Sequence, residues 1–107
     1  MKPLSSFLET PAVQKLDQRY GAGLRELPIA TRLGILVALS SAAHAVHAVG
    51  VSEPLDMLFA ETVADTDESP ERELYALLSQ LDEELSDFRQ AIALVAGIAE
   101  GIAYASV

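Results

Sequence analysis

His44 and His47 are the only histidines, and they stand three residues apart. On a helix that spacing puts both imidazoles on one face, where they can share a metal ion or a haem iron. Helical bundles complete such sites with several Glu and with Glu-x-x-His pairs from facing helices. The chain contains no Glu-x-x-His pair. The most suggestive further ligand is Glu100, whose neighbours are small and apolar. If its helix packs antiparallel to the histidine helix, Glu100 falls at the far end. A joint site would then need a parallel arrangement or a second subunit. The plainer alternative is two partly buried histidines bonded to Ser or carboxylate groups, with a weak pH response. No cofactor is expected. Arg32, at the start of the histidine helix, is the partner expected for Glu100 if that carboxylate is buried.

Other catalytic chemistry finds no support. Ser40, Ser41 and His44 are neighbours, but no nucleophile elbow surrounds them. Gly21-Ala22-Gly23 is too short for a phosphate loop and follows a helix, where such a loop follows a strand. Asp65–Glu73 is acidic but lacks the ligand alternation and central Gly of a calcium loop. Cys is absent, which excludes disulfides, thiol catalysis and thiolate metal sites. A non-enzymatic protein is expected.

The carboxylates Asp82, Glu83, Glu84 and Asp87 form a second candidate site, an acidic face for a basic partner. The charge is unevenly spread. Residues 1–51 carry five basic and three acidic residues, and residues 52–107 carry two and thirteen, within a formal net charge of -9. Nonspecific nucleic-acid binding is therefore not expected, because nothing displaces counterions from phosphates.

These groups have to be positioned by helices. The 107 residues make one helical domain, half of it hydrophobic and poor in aromatics. Residues 1–10 form a weakly ordered arm that Phe7 and Leu8 can dock. Thr10-Pro11 is a cap followed by a first-turn proline, and it opens a helix over 11–20 that Gly21 stops. Pro28 opens a helix over 28–49, ended by Gly50. Its middle, Leu33 to Leu39, is apolar on all sides, which suits a central bundle helix or a membrane span. Leu33–Val51 meets the length criterion for a span, but the two His, the Ser pair and the abundant Ala argue for a soluble bundle. Ser52 is expected to cap a short helix over 53–63. Residues 64–69 form an acidic loop. Leu74, Leu78, Leu81, Leu85, Phe88, Ile92, Val95, Ala99 and Ile102 recur at spacings of four and three. That seam predicts one long helix over 70–105, packed on the helix over 28–49. The fold class is all-α, a small bundle of about four helices.

Two rows of small residues, Ala30-Gly34-Ala38-Ala42 and Ala93-Gly97-Gly101-Ala105, invite a close helix contact. Gly97, Gly101, Ile98, Ile102 and Phe88 are accordingly the expected interface, within the chain or between two copies. The leading expectation is a helical interaction module that self-associates as a homodimer. The alternatives are an acidic inhibitor imitating nucleic acid and a metal- or haem-binding bundle using His44 and His47. Glu9 and Pro11 interrupt any export-type apolar run near the start, so a cytoplasmic location is expected.

Overall fold

A computed structural model describes residues 2–64, 66 and 69–104. Among them are five α-helices and no strand, so the expected all-α bundle is the fold. The helices are α1 (Pro11–Tyr20), α2 (Ile29–Val49), α3 (Leu55–Val63), α4 (Arg72–Glu84) and α5 (Phe88–Ala103). Single 3-10 turns, Leu4–Ser6 and Ala22–Leu24, precede α1 and link it to α2. Ala105 and residues 65, 67 and 68 of the acidic loop lie outside the described residues.

The local signals at the first two helices work as their chemistry requires. Thr10 accepts the Val13 N–H at 3.2 Å, with Pro11 in the first turn. Gly50 closes α2 in the left-handed region at φ 86, returning its N–H to the Val46 carbonyl. Leu24 also adopts a positive φ of 60, a conformation that costs a β-carbon-bearing residue about 1–2 kcal/mol. Its side chain is wholly buried, and that burial offsets the cost.

The long helix over 70–105 is instead two helices. Leu85 is extended, with φ -79 and ψ 124, and α5 restarts three residues later. The restart has its own cap: the Asp87 carboxylate accepts the Arg89 N–H at 2.8 Å, and the Gln90 side chain accepts the Ser86 N–H at 2.6 Å. The three-residue interruption changes the helical phase. Before it, Leu74, Leu77, Leu78 and Leu81 are buried. After it the buried set is Ala91, Leu94, Gly97, Ile98 and Gly101, while Ile92 of the expected seam is 46% exposed.

The break divides the packing. α5 lies along α2, and α4 turns away to pack on α1 and α3. The expected contact of the C-terminal helix with the apolar helix thus belongs to α5. The His47 ring sits 5.2 Å from Phe88, so the end of α2 meets the start of α5 and the two run antiparallel. On its other side α2 receives α3, whose Phe59 and Val63 close on Gly34. Phe59, Leu24, Ile35, Leu39, Leu78 and Ile98 anchor the core between these layers.

Ser52 does not cap α3, since its hydroxyl donates to the Glu53 carbonyl. The N-terminal arm is docked instead of loose. The Asp17 carboxylate accepts the Leu4 and Ser5 N–H groups at 2.8 and 3.0 Å, and Leu4 is buried. Its receptor is the small-residue ridge of α5. A β-carbon at Gly97 would stand 2.8 Å from the Phe7 ring and 3.1 Å from Leu4.

Candidate functional site

His44 and His47 are both exposed on the outer side of α2. No group of three or more His, Asp or Glu side chains that could hold a metal occurs among the described residues. Glu100 is exposed on α5, toward the end remote from the histidines. The structure therefore brings His47 to Phe88 and does not bring Glu100 to either imidazole.

Three of the four carboxylates on the acidic flank are engaged by helix N-termini. Asp82 accepts the Leu55 N–H at the start of α3 at 3.3 Å. Glu84 accepts the Ala12 N–H at the start of α1 at 3.0 Å. Asp87 caps α5. Each sits where unpaired N–H groups and the helix dipole favour negative charge. Glu83 is exposed. A cleft of about 190 Å³ lies between α2 and the α4–α5 joint, floored by Ala42, Val46 and Ala91 with Asp82 and Asp87 at its edge.

Glu84 links α4 to the start of α1. Burial alone would raise its pKa, but hydrogen bonds from the Thr10 hydroxyl, the Ala12 amide and the Gln80 side chain, with the Lys15 charge, outweigh burial. Its carboxyl is held below the usual range. A depressed carboxylate adds stability above its unfolded-state pKa and loses it as pH falls through the folded value. Glu84→Gln should therefore unfold at a lower urea midpoint than the parent at pH 7, and the gap should close as pH drops below about 4. An unchanged gap down to pH 3 would show that the carboxylate charge is not what Glu84 contributes.

Two buried polar groups stand apart. Arg32 is 5% exposed, and its Nε and Nη1 have no hydrogen-bond partner among the described residues. Its expected partner Glu100 is not paired with it among the described residues. Tyr20 is buried beside Arg19, and burial pushes its hydroxyl pKa up. Arg19 itself reaches Glu71 at 2.6 Å and Glu73 at 3.1 Å, tying α1 to the start of α4.

The expected interface residues lie inside the chain. Gly97, Ile98 and Gly101 are buried, with the arm seated on Gly97, and Phe88 and Ile102 are half-buried against the core. The apolar surface left uncovered is elsewhere. Leu33 and Val37 are each 45% exposed on α2, Ile29 is similarly open one turn earlier, and Ile92 is open on α5. Leu36 and Val95 are half-buried against the core. Within Ile29–Val49 the one Asp, Glu, Lys or Arg is Arg32, which points inward. The result is an outer side of α2 without Asp, Glu, Lys or Arg, apolar in its N-terminal half, with Ile92 of α5 also open.

Sequence reasoning missed this face because α2 is apolar on every side, which hides its outward direction. A usable signal was present in Leu33, Val37, Ser40 and His44, which follow the four-three-four spacing of a packing seam. α2 is also the one helix among the described residues long and apolar enough to cross a membrane. Its inner side is covered by α3 and α5, as in the core helix of a bundle. No protein-family model, curated protein or solved structure matches the chain.

Proposed function

We propose that the protein is a non-enzymatic helical interaction module that self-associates through the α2–α5 face. The observation that carries this reading is the open apolar stripe Ile29, Leu33 and Val37 on α2, whose outer side carries no Asp, Glu, Lys or Arg, with Ile92 open on α5. Exposed single apolar side chains are ordinary, but a contiguous apolar patch marks an interaction site.

Size and charge favour a second copy as the occupant. α2 has 21 residues and so runs about 30 Å, and two packed helices present a face about 20 Å wide. That is about 600 Å² per chain, or about 1,200 Å² for a pair, the lower bound for a stable specific interface. Two chains of formal charge -9 repel one another. An outer side of α2 without Asp, Glu, Lys or Arg lets them meet with the acidic flanks held apart. An acidic inhibitor imitating nucleic acid has the weaker support, because Asp82, Glu84 and Asp87 already serve helix N-termini.

Salt distinguishes the two readings. Screening shortens the reach of charge from about 10 Å at 0.1 M to about 3 Å at 1 M. Sedimentation equilibrium should show self-association strengthening with added salt. Association that weakens with salt would point to charge pairing through the acidic flank and against this face.

A further inference from the structure

The break between α4 and α5 leaves a cleft that the chain does not fill. Its floor is Ala42 and Val46 of α2 with Ala91 of α5, and Leu85 and Phe88 wall it at the joint. The short alanine side chains keep the space open. It holds about 190 Å³. An apolar cavity of about 150 Å³ takes up a benzene molecule, whereas drug-sized ligands fill about 300 Å³ or more. The cleft therefore suits a body of about one ring, and is too small for a nucleotide or a helix.

Its polar edge has one sign. Asp82 and Asp87 stand there with Ser52 and Ser86, and no Lys or Arg lines the cleft among the described residues. The two carboxylates differ in what they already hold. Asp87 caps α5 and meets the chain's own Arg89 at 3.5 Å. That guanidinium also lies 5.3 Å from the centre of the Phe88 ring. Asp82 is half-buried, and one of its oxygens accepts the Leu55 N–H. It has no ion pair, and its second oxygen has no hydrogen bond, among the described residues. A carboxylate beside an apolar floor is poorly screened by water, so it holds a cation more strongly than an open surface does. An anion is repelled, and a neutral apolar molecule gains only the floor.

We infer that the cleft binds a small organic amine, its ammonium donating to the second oxygen of Asp82 and its apolar body resting on Ala42, Val46 and Ala91. The site is independent of self-association, since it lies at the α4–α5 joint and the open stripe Ile29, Leu33 and Val37 occupies the other half of α2. A free amine suits it better than a lysine of another protein, because a peptide must also order its backbone over a cleft one ring in size.

The test is a titration of the nitrogen-labelled full chain, followed by its backbone amide resonances. Benzylamine, a cation at neutral pH, is compared with neutral benzyl alcohol and anionic benzoate. Benzylamine should shift the amides of Ala42, Val46, Asp82 and Ala91 saturably. Its dissociation constant should be at least about tenfold below that of benzyl alcohol, and benzoate should leave these amides unmoved. Asp82→Asn keeps an acceptor for the Leu55 N–H but removes the charge, so it should bring benzylamine to the level of the alcohol. Val46→Phe fills the cleft and should abolish both, with helicity checked by circular dichroism. If that variant does not fold, Asp82→Asn decides alone. Equal affinity for amine and alcohol, shifts outside the cleft only, no saturable shift at all, or full affinity in Asp82→Asn would overturn the site. A blocked peptide with one central Lys offers the same ammonium and should bind more weakly. A peptide that binds more tightly than benzylamine would overturn the small amine as occupant.

Discussion

Gly97→Leu should be the most damaging single substitution in the chain. A β-carbon alone at this position approaches the Phe7 ring to 2.8 Å, closer than packed carbons tolerate. A leucine side chain cannot share that space with the arm, so the arm has to leave. Leu4 then loses a fully buried site, worth about 2 kcal/mol, and its N–H and that of Ser5 lose the Asp17 carboxylate. Residual overpacking against the ridge adds about 1–3 kcal/mol. A destabilisation of about 3 kcal/mol or more is expected from urea unfolding, far above the gain of about 1 kcal/mol from replacing a helical glycine. Gly97→Leu with an unchanged unfolding midpoint would mean that the arm does not sit on α5.

Leu33→Glu should have the opposite profile, leaving the folded chain intact and removing its self-association. Leu33 is 45% exposed, so the single chain solvates a carboxylate there with a stability change within about 1 kcal/mol. In the pair the same carboxylate would be buried without a partner, a cost of several kcal/mol, about 100-fold or more in the dissociation constant. Met57→Glu is the matched control. Met57 is also exposed and apolar, but it lies on α3, outside the face. It adds the same charge and should weaken association only through general repulsion.

Much of the architecture was legible in the residues. Thr10-Pro11, Gly21, Pro28 and Gly50 bound the first two long helices because each acts through its own backbone geometry or hydrogen bond, which needs no tertiary context. The break between α4 and α5 was hidden by Leu85 and Phe88, which continue the apolar spacing across it. Asp87-Phe88-Arg89-Gln90, an acidic cap followed three residues later by Gln, was the local sign of a new helix. It is easily read as part of a charged outer surface. The roles of Asp82 and Glu84 could not be read locally, because the N–H groups they bind belong to helices 27 and 72 residues away in the chain. The same holds for Gly97, whose meaning depends on an arm at the opposite end of the chain. The α2–α5 face was obscured by composition itself, since a helix apolar all round shows which side is open only after its neighbours are placed.

The central claim is that a second copy covers this face. Its most direct test is the solution mass of the unmodified chain and of Leu33→Glu, side by side by sedimentation equilibrium at neutral pH and high salt, with helicity checked by circular dichroism. The account predicts twice the mass of one chain for the unmodified protein and a single-chain mass for Leu33→Glu, at equal helicity. A single-chain mass for both, or a pair that survives Leu33→Glu unchanged, would contradict it.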